Sequence, residues 1–355
     1  MSIFNSKNSK GVVGIDIGTT SIKVVELTPT GKNKYYLSNY AVLETTNQFQ
    51  HFNNSIQSSS LKPLESDLVS YLTLIKKELN LGSKVYVSLP AFTSFTTIIE
   101  VPMASNKNIG KILSTSTENY IPLPVSTVTF DWKKVRENKE SKTETIFVAS
   151  TPNEKIENYY QIFKNSGFEL EGYEIENIAL ARALTRKKSK PTLIIDIGGR
   201  STSITIGESG MILYAGQTDF SSGSFTQALA NALNISPRRA NELKKTTLIV
   251  GGGGDHELST VLIPLIDAIL KEVVRIQEGF EKTFKSKVEE IVLAGAGINM
   301  PGLAEYITTK FNLPVVKANP LKEDITYSPE IEPINEKLGA TLATAIGLAL
   351  KKYDK

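Results

Sequence analysis

The phrase GVVGIDIGTTSIKVVEL, Gly11 to Leu27, returns later in the chain as TLIIDIGGRSTSITIG, Thr192 to Gly207. Each copy is an apolar run, then Asp-Ile-Gly, then small hydroxyl-bearing residues, then a second β-branched run. Such runs around a glycine turn predict a strand, a tight turn and a second strand. One copy alone is ordinary turn chemistry, with an aspartate bonding nearby backbone. Two copies with matched flanks constrain the fold further. They predict an α/β chain of two equivalent halves, each led by the same hairpin. The 355 residues suit two domains or one duplicated unit.

A hairpin with glycine at its tip exposes backbone N–H groups that can grip phosphate oxygens. The first tip comprises Gly18, Thr19, Thr20 and Ser21, with Lys23 adding a positive charge whose direction strand alternation leaves open. The second comprises Gly198, Gly199, Arg200 and Ser201. Asp16 and Asp196 hold the same place in the two phrases, and a carboxylate repels phosphate. It suits such a site if Mg²⁺ lies between, held through waters. Two facing hairpins would then clamp a polyphosphate from both sides. Arg200 has two readings at this stage: a charge-assisted bond to phosphate, or a side chain in solvent.

Composition narrows the chemistry. There is no cysteine, so disulfides and Cys-ligated metals are excluded. The two histidines, His51 and His256, lie in polar, loop-like surroundings, which argues against a zinc site or a Ser-His-Asp triad. Lys and Arg number 40 against 37 Asp and Glu, a balance that calls for no nucleic acid or polyanion. No apolar run reaches the ~20 residues of a membrane span, and the N-terminus has no hydrophobic signal core. The expectation is a cytoplasmic protein.

Along the chain, strands are expected at Val12–Asp16, Ser21–Leu27, Tyr35–Leu43, Lys84–Leu89, Phe95–Val101, Thr127–Lys133 and Thr143–Ser150. The charged stretch Lys133 to Lys142 reads as a solvated hairpin or loop, and Asn47 to Ser60 as a mobile loop. Helical spacing is found at Glu65–Leu79, Ile109–Tyr120, Pro152–Asn165, Asn177–Thr185, Phe225–Leu233, Pro237–Lys245, Leu258–Lys285, Pro301–Phe311 and Leu338–Lys351. Gly251 to Gly254 reads as a linker or, next to a helix N-terminus, a phosphate cradle.

The paired phrases resemble the phosphate 1 and phosphate 2 motifs of the superfamily joining actin, the heat-shock chaperone ATPases and sugar kinases. IVLAGAGINMPGLAEYI, Ile291 to Ile307, resembles its adenosine motif, with Gly295, Gly297 and Ile298 at the matching positions. Glu242 and Lys245 match a Glu-x-x-Lys pair that contacts adenosine in relatives; as residues alone they are equally a solvated i,i+3 pair. Ser222-Gly223-Ser224 falls where relatives place a further phosphate-side loop, which assigns Gly223 to the site. Gly339 to Leu348 resembles the small-residue connecting helix. More narrowly, ENYIPLPVSTVTFDW, Glu118 to Trp132, resembles a signature of the PilM family of type IV pilus assembly, and the flanking segments agree.

That resemblance implies an actin-like, ribonuclease H-like duplicated fold of the FtsA type, in which one actin subdomain is absent and a subdomain 1C is inserted. The expected boundaries are 1–83 with 171–190 for subdomain 1A, and 84–170 for 1C. The second half spans 191–335, with 2B at about 222–289, and 336–355 forms a connecting helix returning to 1A. It implies ATP and Mg²⁺ in the cleft between halves. It also implies a groove between 1A and 1C for the cytoplasmic N-terminal peptide of a PilN-like inner-membrane protein, ties to pilus motor components, and a peripheral place at the inner face of that membrane. Tyr120, Ile121, Leu123 and Phe130 are candidate groove residues; as apolar side chains they are equally core of 1C. At the second phosphate motif Arg200 departs from the small or hydroxyl residues usual in the family.

No catalytic group is assignable; Glu176 is one guess for positioning an attacking water. Slow or absent turnover is therefore expected. Two relatives of the same superfamily are alternatives. A small-metabolite kinase would need an aspartate base between the two phosphate motifs, where Asp131 is the single aspartate between Asp67 and Asp196. An FtsA-like division protein would carry a C-terminal amphipathic membrane helix, and the segment after the connecting helix has no such pattern.

Overall fold

The computed structural model describes residues 11–44, 65–103, 109–112, 121, 123–246, 248–249, 256–322 and 324–354. The loops expected at Asn47–Ser60 and Gly251–Gly254, and all but 109–112 of the helix expected over Ile109–Tyr120, lie outside those residues.

In chain order the strands are β1 (Val12–Ile17), β2 (Ser21–Gly31), β3 (Lys34–Glu44), β4 (Lys84–Leu89), β5 (Phe95–Pro102), β6 (Val128–Asn138) and β7 (Thr143–Pro152). They continue with β8 (Glu169–Ile175), β9 (Thr192–Ile197), β10 (Thr202–Glu208), β11 (Met211–Thr218), β12 (Glu290–Ala294), β13 (Val315–Lys317) and β14 (Ile325–Thr326). The helices are α1 (Glu65–Glu78), α2 (Asn153–Asn165), α3 (Glu176–Thr185), α4 (Ser222–Leu233), α5 (Pro237–Thr246), α6 (His256–Phe284), α7 (Leu303–Phe311) and α8 (Asn335–Leu350).

The duplication predicted from the repeated phrase is present in the hydrogen bonding. One sheet runs β14-β3-β2-β1-β4-β8 and the other β11-β10-β9-β12-β13. Setting β14 aside, each is an antiparallel meander of three strands followed by two parallel strands. The registers match as well: Asp16 pairs with Lys23, and Asp196 with Ser203.

Strand periodicity of two sorts the core into layers. Val13, Ile15 and Ile17 of β1 pack outward against α1 and α2. Leu193, Ile195 and Ile197 of β9 pack outward with α4, α6 and α7. The alternate positions, Gly14 in β1 and Ile194 in β9, face inward, where α3 and α8 fill the space between the sheets. That inner layer is unusually close. A Cβ on Gly14 would lie 2.2 Å from the Ala345 carbonyl oxygen, and one on Gly347 would lie 1.8 Å from that of Ala179. The small residues expected to mark a connecting helix thus permit contact of α8 with β1 and with α3.

The inserted unit differs from its expected 84–170 boundary. β4 is hydrogen-bonded between β1 and β8 in the first large sheet. α2 packs with β1 and β4 in one core. The separate sheet is the antiparallel β5-β7-β6, with its own small core of Ile99, Val101, Ile109, Ile121, Val128, Ile146 and Val148. Lys133–Lys142, expected as a solvated hairpin, is the end of β6 and its turn into β7. No helix among the described residues is long and apolar enough to cross a membrane.

Candidate functional site

Asp16 and Asp196 lie on the inward faces of β1 and β9, two residues on from Gly14 and Ile194. The two hairpins therefore turn the same face of the repeated phrase toward each other across a cavity of about 1360 Å³. Their tips touch. A Cβ on Gly199 would lie 2.8 Å from both Thr19 Oγ1 and Thr20 Cγ2. Each turn is closed in the same way, by the Gly18 N–H to the Ser21 carbonyl and the Gly198 N–H to the Ser201 carbonyl, both at 3.0 Å. The main-chain N–H groups of Thr19, Thr20 and Gly199 have no acceptor among the described residues, and all three residues line the cavity; such N–H groups can grip an anion.

Helix α4 abuts the second tip. The N–H groups of Ser222 and Gly223 donate to the carbonyls of Gly198 and Gly199, at 3.0 and 3.2 Å. Gly223 thus lines the cavity but spends its N–H on the hairpin, and its missing side chain allows the approach: a Cβ would lie 2.4 Å from the Gly199 oxygen. Ser221 caps α4 through a reciprocal pair with Ser224 and also donates to the Gly199 carbonyl at 3.1 Å.

Charge is concentrated around the first aspartate. Asp16 is buried; its Oδ1 accepts from the Ser88 hydroxyl at 2.7 Å and its Oδ2 from Lys23 Nζ at 2.9 Å. Burial disfavours the Lys23 ammonium, but Asp16, by charge and hydrogen bond, with Asp196 and Glu176 behind it, holds its pKa above the usual lysine value. Burial raises the Asp196 carboxyl to about 6, with Lys23 opposing and Asp16 adding to the rise. Burial, then the charges of Asp16 and Asp196, push Glu176 up to about 8 against the Ala91 N–H and Lys23. With Glu176 protonated at neutral pH, the two aspartates share one lysine and leave an excess of negative charge that a divalent cation would offset. No group of three or more His, Cys, Asp or Glu among the described residues is placed to hold such an ion. The donor set therefore fits a cation held through water, not a closed protein cage.

The nucleotide-site residues proposed from sequence all line this cavity except Ile298. Gly18, Thr19, Thr20, Ser21, Lys23, Gly198, Gly199, Arg200, Ser201, Gly223, Glu242, Lys245, Gly295 and Gly297 line the cavity together with both aspartates. Ile298 does not: it is 2% exposed and packs under the second sheet, while its neighbours Asn299 and Met300 take the lining positions. An apolar β-branched side chain beside a glycine turn gains more from the core than from a polar cleft. Glu242 and Lys245 form an exposed 3.1 Å ion pair at the rim. Arg200, which sequence left between phosphate and solvent, sits over Phe92, its guanidinium carbon 4.9 Å from the ring centre.

Ser88, Phe92 and Lys244 were missed. Ser88 is a polar residue at the end of a buried strand just before Pro90, a signal available in the sequence. Lys244 is buried in α5 and donates to the Ser222 carbonyl, the Ser222 hydroxyl and the Thr226 hydroxyl at 2.6–2.8 Å, fastening α5 to the first turn of α4. Burial, with a smaller contribution from Lys245, lowers its pKa to about 8. Asp131, the base a kinase would need, accepts its neighbour Trp132's N–H on β6 and does not line the cavity.

A second cavity of about 570 Å³ lies between β5 and β11, the edge strands of the inserted sheet and of the second large sheet. Asn177 lines it, 3% exposed, with its Oδ1 lacking a partner among the described residues. The inserted sheet also reaches the second half directly: Arg136 donates to the Phe284 carbonyl, and Val135 packs on both large cores. Of the proposed groove residues, Ile121 is 3% exposed in the small core, Phe130 is half-buried against it, Leu123 is exposed, and Tyr120 lies outside the described residues.

The fold has solved counterparts. The protein in a structure titled PilM-PilN type IV pilus biogenesis complex is 21% identical, with a TM-score of 0.80 over 97% of this chain and 99% of that one. MreB5 of Spiroplasma citri bound to AMPPNP gives a TM-score of 0.55 at 13% identity, covering 98% and 97%. The ethanolamine utilization protein EutJ from Carboxydothermus hydrogenoformans gives 0.52 at 15% identity, covering 98% and 91%. These likenesses establish an actin-like duplicated fold. The family described as type IV pilus assembly protein PilM matches residues 14–353. This chain belongs to the PilM family of type IV pilus assembly proteins.

Proposed function

We propose that the chain is an ATP-binding scaffold of type IV pilus assembly, held at the cytoplasmic face of the inner membrane by its partner. The observation that carries the reading is the pair of hairpins matched in register, tip to tip, with three N–H groups lacking a protein acceptor and two inward aspartates. In this reading the tips hold the phosphates, and the glycines at 295 and 297 lie against the nucleoside. Asp16 and Asp196 hold Mg²⁺ through waters, and the ion would neutralise phosphate charge. Glu242 and Lys245 close the rim.

The partner is the cytoplasmic N-terminal peptide of a PilN-like protein, by analogy with the solved PilM-PilN pair. The resemblance implies a groove between 1A and 1C, but an extended peptide suits instead the cavity between β5 and β11, on the second-half side of the inserted sheet, where two edge strands offer backbone for pairing. Leu123 is the one exposed residue among the described groove candidates and extends the contact outside that cavity. Turnover is slow, since Glu176 is engaged by the Ala91 N–H and no other group is assigned to position water.

Calorimetric titration of MgATP tests the site. The reading expects a saturating isotherm in the native chain and loss of binding in Asp16→Ala. No binding in the native chain would leave a scaffold without a nucleotide. Steady-state turnover near ~1 s⁻¹, inside the usual enzyme range, would make the protein an enzyme instead.

A further inference from the structure

The two cavities share a wall. Its first part is the turn from Pro90 to Ser94, in which Pro90 and Phe92 line the larger cavity and Ala91 and Ser94 the smaller. Its second part is the start of α3, where Glu176 lines the larger cavity and its neighbour Asn177 the smaller. The Ala91 N–H donates to Glu176 Oε1 at 2.9 Å and ties the two parts together. Ser94 leads directly into β5, and its hydroxyl lies 2.8 Å from that of Thr151 on β7, so the turn is also fastened to the inserted sheet.

Arg200 reaches this wall from the opposite half. Its guanidinium carbon sits over the Phe92 ring, 4.9 Å from the centre, a cation–π distance. The N–H groups of a guanidinium lie in its plane, so one that lays its face on a ring keeps them free to bond. The Arg200 Nε is buried and has no acceptor among the described residues. The side chain belongs to the tip where the proposed nucleotide places its phosphates. One guanidinium can therefore hold a phosphate by its edge and an aromatic ring by its face.

We infer that Arg200 and Phe92 are a positioning pair through which nucleotide in the larger cavity sets the position of β5, the edge strand of the smaller one. The inference rests on the proposed nucleotide site. With phosphate at its edge, Arg200 loses its freedom to swing. Phe92 is then held, and with it the turn from which β5 departs. The departure of this chain from small residues at position 200 acquires a role that a serine or glycine could not fill.

Hydrogen exchange by mass spectrometry on the full chain, with and without saturating MgAMPPNP, reads the link at the amides of residues 95–98. Nucleotide is expected to slow their exchange about fivefold in the native protein, the low end of typical coupling. In Arg200→Lys, which keeps the charge but not the planar face, the slowing disappears at saturating nucleotide. Phe92→Leu, which keeps bulk and removes the ring, behaves the same way. Calorimetry on each variant verifies fold and saturation. Saturated variants that keep the full slowing overturn the inference, as does a native chain that binds nucleotide without a change at 95–98. A native chain that binds no nucleotide overturns the proposed site first and this link with it.

Discussion

At Gly295 the backbone φ is +84°, and an added Cβ would sit 2.3 Å from Asp196 Oδ1. Glycine is required there twice, for conformation and for space. Gly295→Ala is expected to destabilise the protein by about 1–3 kcal/mol, measurable by urea denaturation. Lys244 offers a second test. Its folded pKa of about 8 lies below the ordinary lysine value of 10.5, so the native state sheds this proton first as pH rises. The unfolded chain then binds more protons between those limits, and stability rises from about pH 8 to 10.5. Lys244→Met should remove that rise, on the order of 3 kcal/mol by linkage, when urea midpoints of the two proteins are compared across the window. The two aspartates were legible in the sequence because their signal is local: strand, turn and strand lie within one phrase. Ser88 offered only a polar residue in an apolar strand and Phe92 no signal, because each acquires its role from a residue far along the chain, Asp16 and Arg200 respectively. Lys244 reads as one more cation on a polar helix until α4 packs over it.

Among the elements, α8 carries the heaviest packing constraint. Its Gly347 meets the Ala179 carbonyl and its Ala345 carbonyl meets Gly14, so two helices and a strand approach with nothing between them. Gly347→Ala should force α8 from α3 and cost about 3 kcal/mol, the upper range for overpacking. A thermal melt lowered by less than the error of measurement would show that the inner layer adjusts freely. The cap of α4 is a milder case. Ser221→Ala removes the donor to the Gly199 carbonyl as well as the cap, and should cost about 1 kcal/mol in the same melt. Most elements were readable from periodicity, including the helices of the second half. β4 falls inside the expected bounds of the inserted unit yet pairs in the first large sheet, and a parallel pairing leaves no turn in the sequence to announce it. Its apolar run suited either sheet, and the parallel contacts with β1 and β8 decided the matter.

For the whole molecule, the consequence of the fold is that no single half contains the site. Each half supplies one hairpin, and α3 and α8 join them through small residues. The inserted sheet touches both halves, through the turn at Pro90–Ser94 on one side and Arg136 with Val135 on the other. The duplication was legible from the repeated phrase, and the presence of an inserted unit from its resemblance; the second attachment of that unit was not, since it joins residues with no shared pattern. In the proposed reading, nucleotide held by both hairpins is linked to binding in the cavity between β5 and β11, and such linkage is reciprocal. The most direct test is the affinity of a synthetic peptide, copied from the N-terminus of the cognate PilN-like protein, for the apo and the MgATP-saturated chain. The account predicts dissociation constants that differ about fivefold or more, with the same factor appearing in the affinity for MgATP when peptide is saturating. Equal peptide affinity in the two states would contradict it.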